Sequence, residues 1–136
     1  MEISLSKVTG GLEVTVLGLN GQLDGQTYQE LINKAKEAYA SGSRDFLLDL
    51  ADLTYISSAG LVALHSIALL LRGETLPDTD EGWSAYRAMG RSREAGRQQH
   101  IKLLNPREEV KNVLEMVGFD SVFDVYTDLD EAVKSF

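Results

Sequence analysis

Asp52-Leu53-Thr54-Tyr55-Ile56-Ser57-Ser58-Ala59-Gly60-Leu61 is the stretch on which the reading of this 136-residue chain turns. It joins a short apolar run, Phe46-Leu47-Leu48-Asp49-Leu50, to a long one that reaches Leu71. The first run has the length and composition of a central strand covered on both faces. The second, Ser58 to Leu71, reads as a helix with a broad apolar surface. The residues between them, Asp52 to Ser57, read as a loop. Two hydroxyls therefore sit where a loop ends and a helix begins, followed by Ala59 and Gly60, whose small side chains leave the surface open. Serine is a preferred N-cap, and capping alone is worth about 1 kcal/mol. The same place has a second use. Amides at a helix start lack intrahelical partners, so an anionic group there is favoured. A phosphoryl group on Ser58 would be held without unfolding the helix and would add roughly −1.5 to −2 charge.

On the N-terminal side, Ile3, Leu5 and Val8 alternate imperfectly with polar residues up to Gly10-Gly11. Beyond this turn, Leu12, Val14 and Val16, with Gly18, share one face, while Glu13, Thr15 and Leu17 share the other. This is the pattern of a hairpin of two short strands, the second ending at Asn20-Gly21. Thr27 and Glu30 have the spacing of a capping box. Tyr28, Leu31, Ile32, Ala35, Ala38 and Tyr39 then recur at helical spacing, and Gly42 closes the helix.

On the C-terminal side, Ile101, Leu103 and Leu104 predict a strand. Asn105-Pro106-Arg107-Glu108 predicts a helix start, and Val110, Val113, Leu114 and Val117 form that helix's apolar face. Gly118 ends it. Val122, Phe123 and Val125 predict a last strand. Thr127 and Asp130 are candidate caps of a terminal helix burying Leu129, Ala132, Val133 and Phe136. Residues 73–99 differ: acids (Glu74, Asp78, Asp80, Glu81) precede arginines (Arg87, Arg91, Arg93, Arg97), with few apolar anchors. They read as an insertion, either a mobile loop or a short polar helix. The expected whole is one α/β domain over residues 1–136, a small mixed sheet packed with about four helices.

Composition narrows the function. Thirteen Lys and Arg stand against twenty-one Asp and Glu, a formal charge of −8, which argues against direct nucleic-acid binding. Cysteine is absent, removing thiolate metal sites and cysteine nucleophiles. His65 and His100 are too few and too far apart in sequence for most histidine metal sites. His65 reads as a helix-surface or satisfied core residue, and the arginines of residues 87–97 as a solvated face. Asp49 and Asp52 lie beside the loop that leads to the hydroxyl pair, with no base, nucleophile or metal partner, so loop hydrogen bonding is their expected role. No P-loop, dinucleotide fingerprint or nucleophile elbow is present. The chain reads as a non-enzymatic protein without cofactor or metal. It shows no leader segment, and no apolar run is long enough to span a bilayer, so its expected place is the cytoplasm with no membrane insertion.

The central stretch and its upstream context resemble the STAS domain family, specifically its anti-sigma factor antagonists. In that family a strand leads through Asp-Leu and an aromatic or aliphatic pair to Asp-Ser-Ser-Gly-Leu or Asp-Ser-Thr-Gly-Leu at the start of an apolar helix. Here Leu47-Leu48-Asp49-Leu50 corresponds to the strand, Asp52-Leu53 follows it, and Tyr55-Ile56 precedes the hydroxyls. The family's Gly-Glu-Leu-Asp appears as Gly21-Gln22-Leu23-Asp24. The resemblance implies a phospho-acceptor at Ser58 and a partner surface of Asp24, Ser57, Ser58, Ala59 and Gly60. For Asp24, capping of the Thr27 helix is an equal alternative. The implied partner is an anti-sigma factor that is often a serine protein kinase, so transcription would be regulated indirectly. An accessory or scaffold STAS domain of a transporter or signalling complex is the other reading. Four features depart from the family: Ser57 replaces its usual acid, Ala59 follows the acceptor, Gln22 replaces an acid in the upstream motif, and residues 73–99 exceed the usual connection.

Overall fold

The computed structural model describes residues 1–9, 12–73 and 98–136. The expected Gly10-Gly11 turn and most of the expected insertion, residues 74–97, lie outside the described residues. Among the described residues, five strands form one mixed sheet in the order β1-β2-β3-β4-β5. They are β1 (Glu2–Thr9), β2 (Glu13–Leu23), β3 (Phe46–Ile56), β4 (Ile101–Leu104) and β5 (Val125–Tyr126). Among the described residues there are four α-helices: α1 (Tyr28–Ala40), α2 (Ser58–Leu71), α3 (Glu108–Met116) and α4 (Leu129–Lys134), with a 3₁₀ turn at Phe119–Ser121. This is the expected α/β architecture.

β1 and β2 pair antiparallel, and every later pair is parallel. Strands that advance in one direction through right-handed crossovers place their helices on one face of the sheet. The main core follows that rule. Leu17, Leu19, Phe46, Leu48, Leu50, Ile101 and Leu103 meet apolar residues of α1, α2 and α3 there. The second face carries Val14, Val16, Leu47 and Leu104 beneath Ala132 and Val133 of α4. β3 is thus covered on both faces, which is why its sequence is an apolar run rather than an alternation.

Several expected boundaries move. β2 continues past Asn20-Gly21 to Leu23, because Gly21 takes φ +118° within the strand and the chain resumes pairing with β3. The loop expected from Asp52 to Ser57 is strand as far as Ile56. Helix α3 starts at Glu108, not at Asn105-Pro106: Asn105 adopts φ +51°, and extended Arg107 is the N-cap. Val122 and Phe123 are buried core outside the last strand, which is only Val125–Tyr126. Asp128, not Thr127 or Asp130, caps α4, its carboxylate accepting from the amides of Asp130 (2.8 Å) and Glu131 (3.3 Å). Leu129 is exposed, since it opens that helix at its solvent side. His65 and Ser66 are buried in α2. Gln98, assigned to the insertion, is also buried, and its amide donates to the Val122 carbonyl at 2.8 Å.

Candidate functional site

The C-terminal ends of β2 and β3 bring Asp24 and the Ser57-Ser58 pair to one end of the sheet. Parallel pairing sets Gln22 beside Tyr55 and Leu23 beside Ile56, and the Ser57 amide donates to the Leu23 carbonyl at 2.9 Å. Asp24 is the next residue of β2's exit, and Ser58 the first residue of α2.

Two bulges in β3 shape this end. Between the pairs Gly18–Asp49 and Asn20–Asp52, β3 contains one residue more than β2, and between Gly21–Leu53 and Gln22–Tyr55 it contains another. Bulges free backbone groups and sharpen strand twist. Here side chains take up the freed groups. The Asp49 carboxylate accepts from the Ala51 amide (3.1 Å), and Arg107 Nε donates to the Ala51 carbonyl (2.9 Å). Thr54 Oγ1 donates to the Gly21 carbonyl at 3.0 Å. Asp49 therefore has the backbone hydrogen-bonding role expected of it, within a strand rather than a loop.

The turn from β2 into α1 is built on Asp24 and Thr27. The Asp24 amide donates to Thr27 Oγ1 (2.9 Å), and that hydroxyl donates to the Gln22 carbonyl (2.7 Å). Asp24 Oδ1 accepts from the Gln26 amide at 2.9 Å. Thr27 is the N-cap by position, but its side chain makes no capping bond, so the expected capping box does not form. Its hydroxyl is already engaged with the strand end. Asp24 likewise organises the turn without capping the helix; it is half-buried.

Ser57 is the N-cap of α2, in extended conformation (φ −99°, ψ 178°), with no side-chain capping bond. Its hydroxyl oxygen is buried and has no hydrogen-bond partner among the described residues. Ser58 is exposed on the first turn. The first helical bond runs from the Leu61 amide to the Ser57 carbonyl (3.1 Å), so the amides of Ser58, Ala59 and Gly60 stand ahead of it without a capping side chain. That leaves the positive end of the helix dipole open beside the Ser58 hydroxyl.

Gly60 differs from expectation. It is buried, and a Cβ there would meet Ile56 Cγ1 at 2.6 Å and both Leu23 Cγ and the Leu23 carbonyl oxygen at 2.9 Å. It lets α2 sit directly on the ends of β2 and β3, and does not open the surface. Ala59 is half-buried. Tyr55, half exposed beside Gln22, also stands at this end of the sheet; the sequence reading did not count it among the site residues, because a tyrosine in a strand normally signals packing. The exposed Asp52 and half-buried Asp24 give this end a negative character, with Arg107 tied to the β3 backbone. Among the described residues no group of three His, Asp or Glu could hold a metal ion, and no helix is long and apolar enough to cross a membrane.

One exposed serine thus stands on an open helix start, framed by a turn and an aromatic. Comparison with known proteins identifies the family. A family model described as "Mlab, STAS domain" matches residues 6–77, more than half of the chain. The chain belongs to the STAS domain family. No curated protein sequence matches it. Its fold is shared by a putative anti-sigma factor antagonist from Thermotoga maritima, with TM-score 0.70 and 18% identity over 97% of this chain and 92% of that one. An anti-sigma factor antagonist from Mycobacterium paratuberculosis gives 0.63 and 17%, over 98% and 93%. The anti-sigma factor antagonist SpoIIAA, unphosphorylated, gives 0.54 and 19%, over 98% and 96%; the phosphorylated form of SpoIIAA, from Bacillus, also shares the fold. At these identities the likeness is one of fold.

Proposed function

We propose that this protein is an anti-sigma factor antagonist. It binds an anti-sigma factor that is also a serine protein kinase, frees the sigma factor which that partner holds, and is released when Ser58 is phosphorylated. The observation that carries this reading is the exposed Ser58 hydroxyl on an uncapped helix start beside the Asp24 turn. A phosphoryl group there would meet unpaired amides, so the folded domain tolerates it. The same charge enclosed in an interface without a partner weakens the complex. Asp24, Ser58 and Ala59 form the contact surface, Ser57 fixes the backbone beneath it, and Gly60 seats the helix. Residues 1–136 act as one STAS domain with an insertion at 73–99, in the cytoplasm, and the nucleotide belongs to the kinase.

A second reading is favoured by one observation: the matching family model carries the description Mlab. Under it the chain is an accessory or scaffold domain of a transporter or signalling complex, without sigma-factor control.

Copurification from the native cell, followed by mass spectrometry, separates the two by the partner recovered. With a recovered kinase and ATP, peptide mapping should find the phosphate on Ser58, and Ser58→Asp should lower partner affinity while thermal unfolding stays nearly unchanged. Modification confined to Ser57, or a loss of stability in proportion to affinity, would sink the switch.

A further inference from the structure

The sheet has two edges of different character. β5 is two residues long, whereas β1 pairs with β2 over eight residues, from Glu2 opposite Asn20 to Thr9 opposite Glu13, without interruption. Natural edge strands are normally shortened, bulged, covered, or guarded by proline or by charged side chains, lysine above all. β1 has no proline and no bulge. Its one lysine, Lys7, is drawn back toward Glu13 of its own sheet at 3.4 Å. Most of the strand is exposed, and Leu5 at its middle is 43% exposed. Leu5 lies opposite Leu17 on the face that carries α1, where Ile3 packs against the core. Ser4 and Ser6 lie on the other face.

We propose that β1 is a self-association edge, pairing antiparallel with β1 of a second copy about a two-fold axis at Leu5. The two sheets then join into one of ten strands. A two-fold axis perpendicular to a sheet keeps each residue on its own face, so only registers that pair odd with odd and even with even residues are allowed. Centred on Leu5, the strand is complementary to itself. Leu5 meets Leu5, the Lys7 stem covers Ile3, Ser4 meets Ser6, and Glu2 meets Val8, so no like charges face each other. The unpaired backbone groups of each edge satisfy those of the other.

Two consequences follow. An eight-residue edge makes a small interface, so the dimer is weak and concentration-dependent. Each copy carries a formal charge of −8, so salt strengthens association by screening the mutual repulsion. Ser58 lies on the far side of β2, at the ends of β2 and β3, so each dimer presents two open sites. The proposal stands independently of the function assigned to Ser58.

The absence of cysteine gives a direct test. In the full chain, Leu5→Cys should form an intermolecular disulfide under mild oxidation at least about tenfold faster than Leu12→Cys, because only the first brings its thiols to the axis. Leu12 is 55% exposed, so access does not explain the difference. Sedimentation of the wild type should show a monomer–dimer equilibrium that shifts toward dimer with salt. Leu5→Lys, at an exposed position that leaves the fold intact by circular dichroism, should remain monomeric. A wild type that stays monomeric up to about 500 µM in high salt overturns the proposal. So does equal crosslinking at the two positions, or a dimer that survives Leu5→Lys.

Discussion

Gly60→Ala asks whether the direct seating of α2 on the strand ends holds the Ser58 turn in place. The added methyl would stand 2.6 Å from Ile56 Cγ1 and 2.9 Å from Leu23 Cγ and the Leu23 carbonyl oxygen. Leu23 and Ile56 are almost wholly buried, so their side chains have little room to rotate away. The Leu23 carbonyl also accepts the Ser57 amide at 2.9 Å, so its retreat lengthens that bond. Overpacking of this kind costs about 1–3 kcal/mol. Weakening the hydrogen bond adds up to about 1 kcal/mol. Alanine's better helix propensity offsets about 1 kcal/mol. The net expectation is a loss of about 2 kcal/mol, or roughly 8 °C in midpoint for a domain of this size. Urea denaturation with an unchanged slope would measure it cleanly. Gly25→Ala is the comparison: nothing lies within 4 Å of its Cβ position and its φ is not positive, so it should be neutral or stabilising by about 0.5 kcal/mol. A Gly60→Ala protein within about 0.5 kcal/mol of wild type would refute the reasoning, because α2 would then have a cheap way to lift.

Ser57→Ala removes a buried hydroxyl that has no partner among the described residues, so stability should rise by up to about 1 kcal/mol. A fall of that size in urea denaturation would reveal a hydrogen bond that matters. Lys102, only 6% exposed on the second face of the sheet, donates to the Ser135 carbonyl (2.8 Å) and hydroxyl (3.0 Å), and its ammonium lies 4.7 Å from the Phe136 ring. No carboxylate pairs with it among the described residues. Lys102→Met should therefore stay within about 1 kcal/mol of wild type, whereas Lys102→Ala, which also loses the buried stem, should cost about 2–3 kcal/mol. Equal losses in the two variants would show that the ammonium itself docks α4.

Elements defined by long apolar patterns were legible: α2 begins at Ser58 and ends at Leu71, as read from the sequence. Errors gathered where a polar side chain serves the backbone. Asp52 and Thr54 in a candidate strand read as loop, yet Thr54 reaches a carbonyl 33 residues earlier in the chain. Nothing local shows that Arg107 will meet the Ala51 carbonyl 56 residues away, and that contact accompanies the displaced start of α3. Thr27 and Glu30 have the capping spacing, but the Thr27 hydroxyl is taken by Gln22 and Asp24, a tertiary competition that spacing cannot express. At the site itself, the sequence placed Asp24 and Ser58 at one end of the fold through two short motifs. It could not separate a surface glycine from a packing one, because both are simply Gly.

The Ser57-Ser58 pair shows why the second hydroxyl is the presented one. Parallel pairing of Leu23 with Ile56, and the bond from the Ser57 amide to the Leu23 carbonyl, hold residue 57 in extended backbone. Side chains alternate in that conformation, so turning Ser57 inward sends Ser58 outward. A charged acid at 57, the usual residue of the motif that this stretch resembles, could not take the buried position without a partner. It would instead turn to the first amides of α2 as an N-cap, placing a carboxylate beside any phosphoryl group on Ser58. Serine at 57 leaves those amides unengaged and adds no charge. On the proposed reading of Ser58, this departure from the family pattern would leave the helix start more receptive to a phosphoryl group there. The penalty is one buried hydroxyl, which Ser57→Ala measures directly.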